Sequence, residues 1–124
     1  MYSKKPYKRS DRMSDEIRSI LGGIFISDFQ IPDAGLLTVS KVEVTSDLRL
    51  AKVFISLLDA KKTSDEVIDH LKYNRKAIRY HLGNNLNAKL VPDLRFYYDD
   101  TLKKAEKIGT LLTKIRNKEN LDNS

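Results

Sequence analysis

The stretch LLTVSKVEVTSDLRLAKVFISLL, Leu36 to Leu58, constrains this chain more than any other: two β-branched runs with only the tight connection TSD between them. Runs joined this closely pair as an antiparallel hairpin. In the second run Ala51, Val53, Ile55 and Leu57 alternate, which gives the strand one apolar face. The first run is irregular, because Leu37 and Val39 share one parity while Val42 and Val44 share the other. A regular strand cannot turn both pairs to the same face, so a bulge is predicted near Ser40-Lys41. Asp47, in the connection, is read as a side chain that closes the turn rather than as a site residue.

A sheet with one apolar face must be covered, and the flanking sequence supplies helices. Met13, Ile17, Ile20 or Leu21, and Ile24 recur at helical steps. Gly22-Gly23 weakens that helix by about 1 kcal/mol per glycine relative to alanine. Either the helix ends there or the small residues admit a neighbouring element. SDFQIPDAG is then a loop by composition. Past the hairpin, Thr63 and Glu66 have capping-box spacing ahead of Val67, Ile68 and Leu71. Gly83 suits a left-handed cap where that segment ends. In VPDLRFYYDD, Leu94, Phe96 and Tyr98 alternate with Arg95 and Tyr97, which predicts a third strand with Phe96 inward and Tyr97 outward. Asp99 or Asp100 caps a final helix whose face is Leu102, Ala105, Ile108, Leu111, Leu112 and Ile115. The order α-β-β-α-break-α-β-α makes an α+β domain of two layers, one three-stranded sheet packed against helices.

The break falls in LKYNRKAIRYHLG, Leu71 to Gly83. Leu71, Ile78 and Leu82 keep helical spacing, but the inward position between them holds Asn74 and Arg75, amid Lys72, Lys76 and Arg79. Two helices over 66–73 and 76–83, meeting at Asn74-Arg75, can each keep an apolar face on the sheet. Backbone N–H groups at the start of the second helix attract anions. Helix, kink, helix beside a three-stranded sheet is the layout of a K-homology domain, which grips single-stranded nucleic acid at that junction. Lys72, Arg75, Lys76 and Arg79 would surround a backbone phosphate.

Charge is distributed to match. The chain carries a net +6, concentrated in residues 1–12 at +4 and residues 72–95 at +5. Such clustering suggests a polyanion, nucleic acid being the commonest. Catalysis finds little support. Without cysteine there is no disulfide, thiolate nucleophile or thiolate metal site. His70 and His81 stand about three helical turns apart, too far to share a metal on a straight helix. Asp99-Asp100 precede a helix and are better read as caps than as an acid–base pair. No apolar run is long enough to span a membrane, and no secretory signal follows the basic N-terminus.

Three stretches point further: TSDLRLAKVFIS (Thr45 to Ser56), AIRYHLG (Ala77 to Gly83) and LVPDLRFYYDDT (Leu90 to Thr101). In their order and spacing, and in an N-terminal helix preceded by basic residues, the chain resembles the ribosome-binding factor A family over residues 4 to about 116. The resemblance implies a bacterial assembly factor with a type II K-homology-like fold. Such a factor binds the free small (30S) ribosomal subunit and its 16S rRNA during late maturation, supports 16S 5′-end processing, and matters most in the cold. It implies neither catalysis nor a cofactor. In the family an alanine-any-glycine turn kinks the helix pair, and here Asn74, Arg75 and Lys76 occupy the matching positions. Lys76 lacks glycine's freedom to take positive φ. Either Asn74 adopts an unusual backbone angle, or it is hydrogen-bonded inside a shallow bend. The loop SDFQIPDAG is also longer than the family form.

The expectations are therefore specific. Residues 1–8 form a flexible basic N-terminus, 9–118 a single K-homology-like domain, and 119–124 a disordered tail. RNA is held by Lys72, Asn74, Arg75, Lys76 and Arg79, with Lys4, Lys5, Lys8 and Arg9 as a second contact. The protein acts as a cytoplasmic monomer, with no metal, membrane or small-molecule substrate. The competing reading is a protein-interaction module that offers Lys103, Lys104, Lys107 and Lys114 of the final helix to an acidic partner.

Overall fold

Two strands, β1 (Leu36–Val44) and β2 (Leu50–Leu58), pair antiparallel in the computed structural model, which describes residues 6–27, 29–101, 104 and 109. The pairing slips between Val39 and Lys41, leaving Ser40 as the extra residue of the expected bulge. The slip lets Val39 and Val42 both be buried despite their opposite parity. Asp47 closes the turn as read: its Oδ1 accepts the Thr45 hydroxyl at 2.6 Å and the Arg49 N–H at 3.2 Å. Those bonds, the Thr45 hydroxyl foremost, hold its carboxyl below the usual carboxylate range.

The third strand, β3 (Asp93–Tyr98), joins β2 in parallel and gives the order β1-β2-β3. A parallel pair needs a crossover, and the interrupted helix provides it as α2 (Ser64–Tyr73) and α3 (Arg75–Asn85). Thr63 and Glu66 form the capping box at the start of α2. Ahead of the hairpin, α1 (Arg9–Ser27) runs straight through Gly22-Gly23. A Cβ at either glycine would meet nothing within 4 Å, so neither expected reason for the pair holds.

The helices cover one face of the sheet. Ile17, Leu21 and Ile24 of α1, Val67 and Leu71 of α2, and Ile78 and Leu82 of α3 are buried with Ala51, Val53, Ile55, Leu94 and Phe96. On the opposite parity, Lys52, Phe54, Arg95 and Tyr97 are not buried, although Ser56 is. This is the α+β, type II K-homology-like layout expected from the sequence. One local reading fails. Gly83 is no left-handed cap, because α3 continues to Asn85 and Leu86 ends it in extended conformation. Gly83 instead faces Val91, whose Cγ2 would lie 3.1 Å from an added Cβ.

Beyond β3, Asp99 ties the sheet to the next segment. Its carboxylate accepts the Thr101 hydroxyl and N–H, and the Ser40 hydroxyl at 2.7 Å. Thr101 first, and then Ser40, hold its carboxyl below the ordinary value. A depressed folded pKa gives stability that is present above the unfolded value of about 3.9 and is lost as pH falls through the folded value. Thermal melts should therefore show a steeper loss of Tm as pH falls below about 4 for the native protein than for Asp99→Asn. Equal slopes would leave Asp99 no part in acid stability. Thr101, Lys104 and Gly109 are helical. The expected face of the final helix, the tail, and Lys4 and Lys5 lie outside the described residues.

Candidate nucleic-acid interface

Asn74 alone separates the two crossover helices, at φ −97° and ψ 13°. Its side-chain Nδ2 donates to the His70 carbonyl at 2.9 Å, and its N–H reaches the same oxygen at 3.2 Å. The junction thus needs no positive φ, and Lys76 is accommodated in α3. Of the two expected solutions, the structure takes the hydrogen-bonded one. No side chain caps the start of α3.

The cations around this junction divide between two grooves. Lys72 and Arg75 line one between α2 and β3, together with Arg95. Arg75 Nε stands 3.9 Å from Asp93 Oδ1, a long and exposed contact that contributes little to stability. Lys76 and Arg79 line the second groove, with Tyr80, Lys89 and Leu90. Arg79 also has a structural role. Its Nε donates to the Pro92 carbonyl at 3.2 Å and a terminal nitrogen to the Val91 carbonyl at 2.7 Å, tying α3 to the segment that leads into β3.

Arg79 and Lys89 belong as well to a larger cleft of about 850 Å³, whose other cations are Arg9, Arg12 and Arg49. The two basic segments of the sequence therefore meet in space. Glu16 of α1 brings the N-terminal segment there by accepting the Asn87 N–H, and parallel pairing adds Arg49: Leu50 lies opposite Asp93, and the Asp93 N–H donates to the Arg49 carbonyl at 2.9 Å. The turn carrying Arg49 and the entry to β3 are thus brought to the same end of the sheet. Two carboxylates share the cleft, but both are engaged with backbone. Glu16 accepts the Asn87 N–H at 3.1 Å, and Asp47 serves its own turn. Among the described residues, Arg9, Arg12, Arg49 and Lys89 form no salt bridge. Their charge is left for an outside anion.

Of the expected contacts, Arg9, Lys76 and Arg79 line the two grooves that share Arg79 and Lys89, Lys72 and Arg75 line the separate α2/β3 groove, and Asn74 lies at the helix junction between them in sequence. Lys8 immediately precedes α1, with its N–H on Asp11 Oδ2 at 3.0 Å. Sequence reasoning misses Arg12, Arg49, Lys89 and Arg95. Three of these lie within the two basic segments, which is a usable signal, whereas Arg49 can be placed only through strand pairing. No group of three or more His, Asp or Glu among the described residues could hold a metal, and none of their helices is long and apolar enough to cross a membrane.

A family model described as ribosome-binding factor A matches residues 9–112. The chain belongs to the ribosome-binding factor A family. The family's protein from Xylella fastidiosa (strain M12) is 38% identical over 112 residues, covering 88% of this chain and 86% of that one. The crystal structure of ribosome-binding factor A from Thermus thermophilus superposes with a TM-score of 0.62 at 18% identity, over 72% of this chain and 94% of that one. A Thermus thermophilus ribosome-binding factor A homology model, fitted into a cryo-EM map of a 30S complex, gives 0.59 at 17% identity over 69% and 90%. At those identities the likeness establishes the shared fold.

Proposed function

We propose that the protein is a non-catalytic assembly factor that binds the free small ribosomal subunit through 16S rRNA during late maturation. In this reading it acts in the cytoplasm as a monomer, supports 16S 5′-end processing, and is needed most in the cold. The observation that carries it is the meeting of both basic segments at one end of the sheet, where the cleft cations have no salt-bridge partner among the described residues. Family membership and the Thermus relative's placement in a 30S complex support the choice of polyanion. Phosphate contacts from Lys72, Arg75, Lys76, Arg79 and the N-terminal cations position the protein rather than read sequence. Asn74 sets the angle between the helices that carry them.

Sedimentation with purified small subunits, large subunits and joined ribosomes, at low and moderate salt, tests the proposal. Pelleting with free small subunits alone is expected. Equal pelleting with all three would reduce the protein to a general basic RNA binder. No pelleting even at low salt would favour an acidic protein partner instead.

A further inference from the structure

The face of the sheet that no described helix covers carries two rows of side chains set by the pairing register. One row is Glu43, Lys52 and Arg95, and the next is Lys41, Phe54 and Tyr97. Phe54 and Tyr97 stack across β2 and β3, with ring centroids 5.3 Å apart and planes inclined by 26°. Lys41 Nζ lies 5.8 Å from the Phe54 centroid on the neighbouring strand, and Tyr97 remains 38% exposed. One aromatic ring is thus held in place by another and presents itself to solvent.

Positive charge exceeds negative charge around this pair, with Lys41, Lys52 and Arg95 set against Glu43. Lys52 stands between Arg95 on β3 and Glu43 on β1. Glu43, the carboxylate in these rows, is held by Lys41 at 2.6 Å. Among the described residues neither Lys52 nor Arg95 forms a salt bridge. The face is also continuous with the α2/β3 groove, because Arg95 and Tyr97 line it alongside Lys72 and Arg75, with Asp65 as its one carboxylate among the described residues. A ligand for this patch must carry negative charge at short intervals and planar apolar groups between them. Unpaired RNA does both. A duplex hides its bases, and an acidic peptide supplies no regular planar groups.

We infer that Tyr97, backed by Phe54, stacks an unpaired base of the RNA whose phosphates pass Lys72, Arg75 and Arg95. This rests on the RNA-binding reading above and adds a base contact on the sheet face to its phosphate contacts. Stacking on an aromatic side chain is tolerant of base identity, and it is uncharged, so its contribution does not follow the salt dependence of phosphate contacts. That difference separates the two.

The test uses the full chain and a fluorescein-labelled twelve-nucleotide RNA without self-complementarity, beside a hairpin duplex of similar length, by anisotropy across a salt series. Tyr97→Val keeps a strand-forming side chain and removes the ring, and Tyr97→Phe keeps the ring. Single-strand affinity should fall about tenfold for Tyr97→Val at every salt concentration, with an unchanged log–log slope, and should be retained by Tyr97→Phe. Duplex affinity should not change. A Tyr97→Val protein that binds the single strand as tightly as the native chain overturns the stacking, while the phosphate contacts stand if lysine variants still weaken binding. Native protein that binds neither RNA overturns the RNA reading itself. Should Tyr97→Val not fold, NMR of the native chain decides: upfield shifts of the Tyr97 ring protons on adding the oligonucleotide are expected, and unmoved resonances overturn the inference.

Discussion

A chain carrying both Lys76→Glu and Lys89→Glu is expected to bind free small subunits about 100-fold more weakly at roughly 0.1 M salt, with its fold unchanged. Both lysines are exposed on the groove that Arg79 shares with the larger cleft, and neither forms a salt bridge among the described residues. A hydrogen bond to a charged group is worth about 1.5 kcal/mol or more, roughly tenfold in affinity, so two lost contacts multiply to about a hundred. Reversal of charge adds repulsion to the loss. The slope of log affinity against log salt should fall by about 0.7 to 0.9 for each phosphate released. Stability should move by less than about 0.5 kcal/mol, since exposed side chains away from caps and cores rarely matter more. The control is Lys61→Glu with Lys62→Glu, the same change in net charge placed in the connection between β2 and α2. The backbone there is tied to the Asp33 carbonyl, at the end of β2 away from Leu50. If that pair weakens binding as much, net charge alone drives association and the proposed surface has no special part.

The second large effect is on stability. Gly35→Ala should cost about 3 kcal/mol and lower Tm by roughly 10 to 20 °C, a large share of the 5 to 15 kcal/mol that holds a domain of this size together. Gly35 has φ +65°, where alanine is strained. Its missing Cβ also leaves room for the chain leaving β2: an added methyl would stand 2.7 Å from the Asp59 carbonyl carbon and oxygen, and would press on the Leu58 carbonyl oxygen. These are backbone atoms, and they cannot drift away freely. Lys61 and Lys62 donate their N–H groups to Asp33 at 2.8 and 3.0 Å, which clamps this connection to the loop containing Gly35. Gly22→Ala is the matched opposite. In the middle of α1, with nothing within 4 Å of the new methyl, it should stabilise by roughly 0.5 to 1 kcal/mol. Denaturant melts of the two variants should move in opposite directions. Equal shifts would mean that the packing around Gly35 does not constrain the chain.

Where an element is specified by its own residues, it was legible in the sequence. The parity change between Val39 and Val42 places the bulge near Ser40-Lys41, where the structure has it, and Thr63 with Glu66 marks the start of α2. The lapse at Asn74 located the helix junction, and the missing glycine left its form open until the His70 hydrogen bonds resolved it. Failures occurred where a distant partner decides. Gly83 looks like a cap from its neighbours in sequence, yet Val91 is what needs the space beside it. Arg79 reads as a phosphate contact, and nothing near it in sequence shows that two carbonyls of the β3 approach also hold it. Arg49 carries no signal of its own, and only the parallel register of β2 and β3 puts it at the same end as Lys89.

The anchoring of Arg79 affects how an RNA strand would settle. A lysine that grips phosphate gives up rotamer freedom at the moment of contact, which opposes binding by up to about 2 kcal/mol per side chain. Arg79 has surrendered that freedom during folding, and its two backbone bonds leave other guanidinium donors uncommitted. Its charge stays fixed while Lys76 and Lys89 can swing to meet a backbone of varying path. The surface thus has one rigid datum among movable arms, and a strand passing it would be registered at Arg79 and merely followed by the lysines.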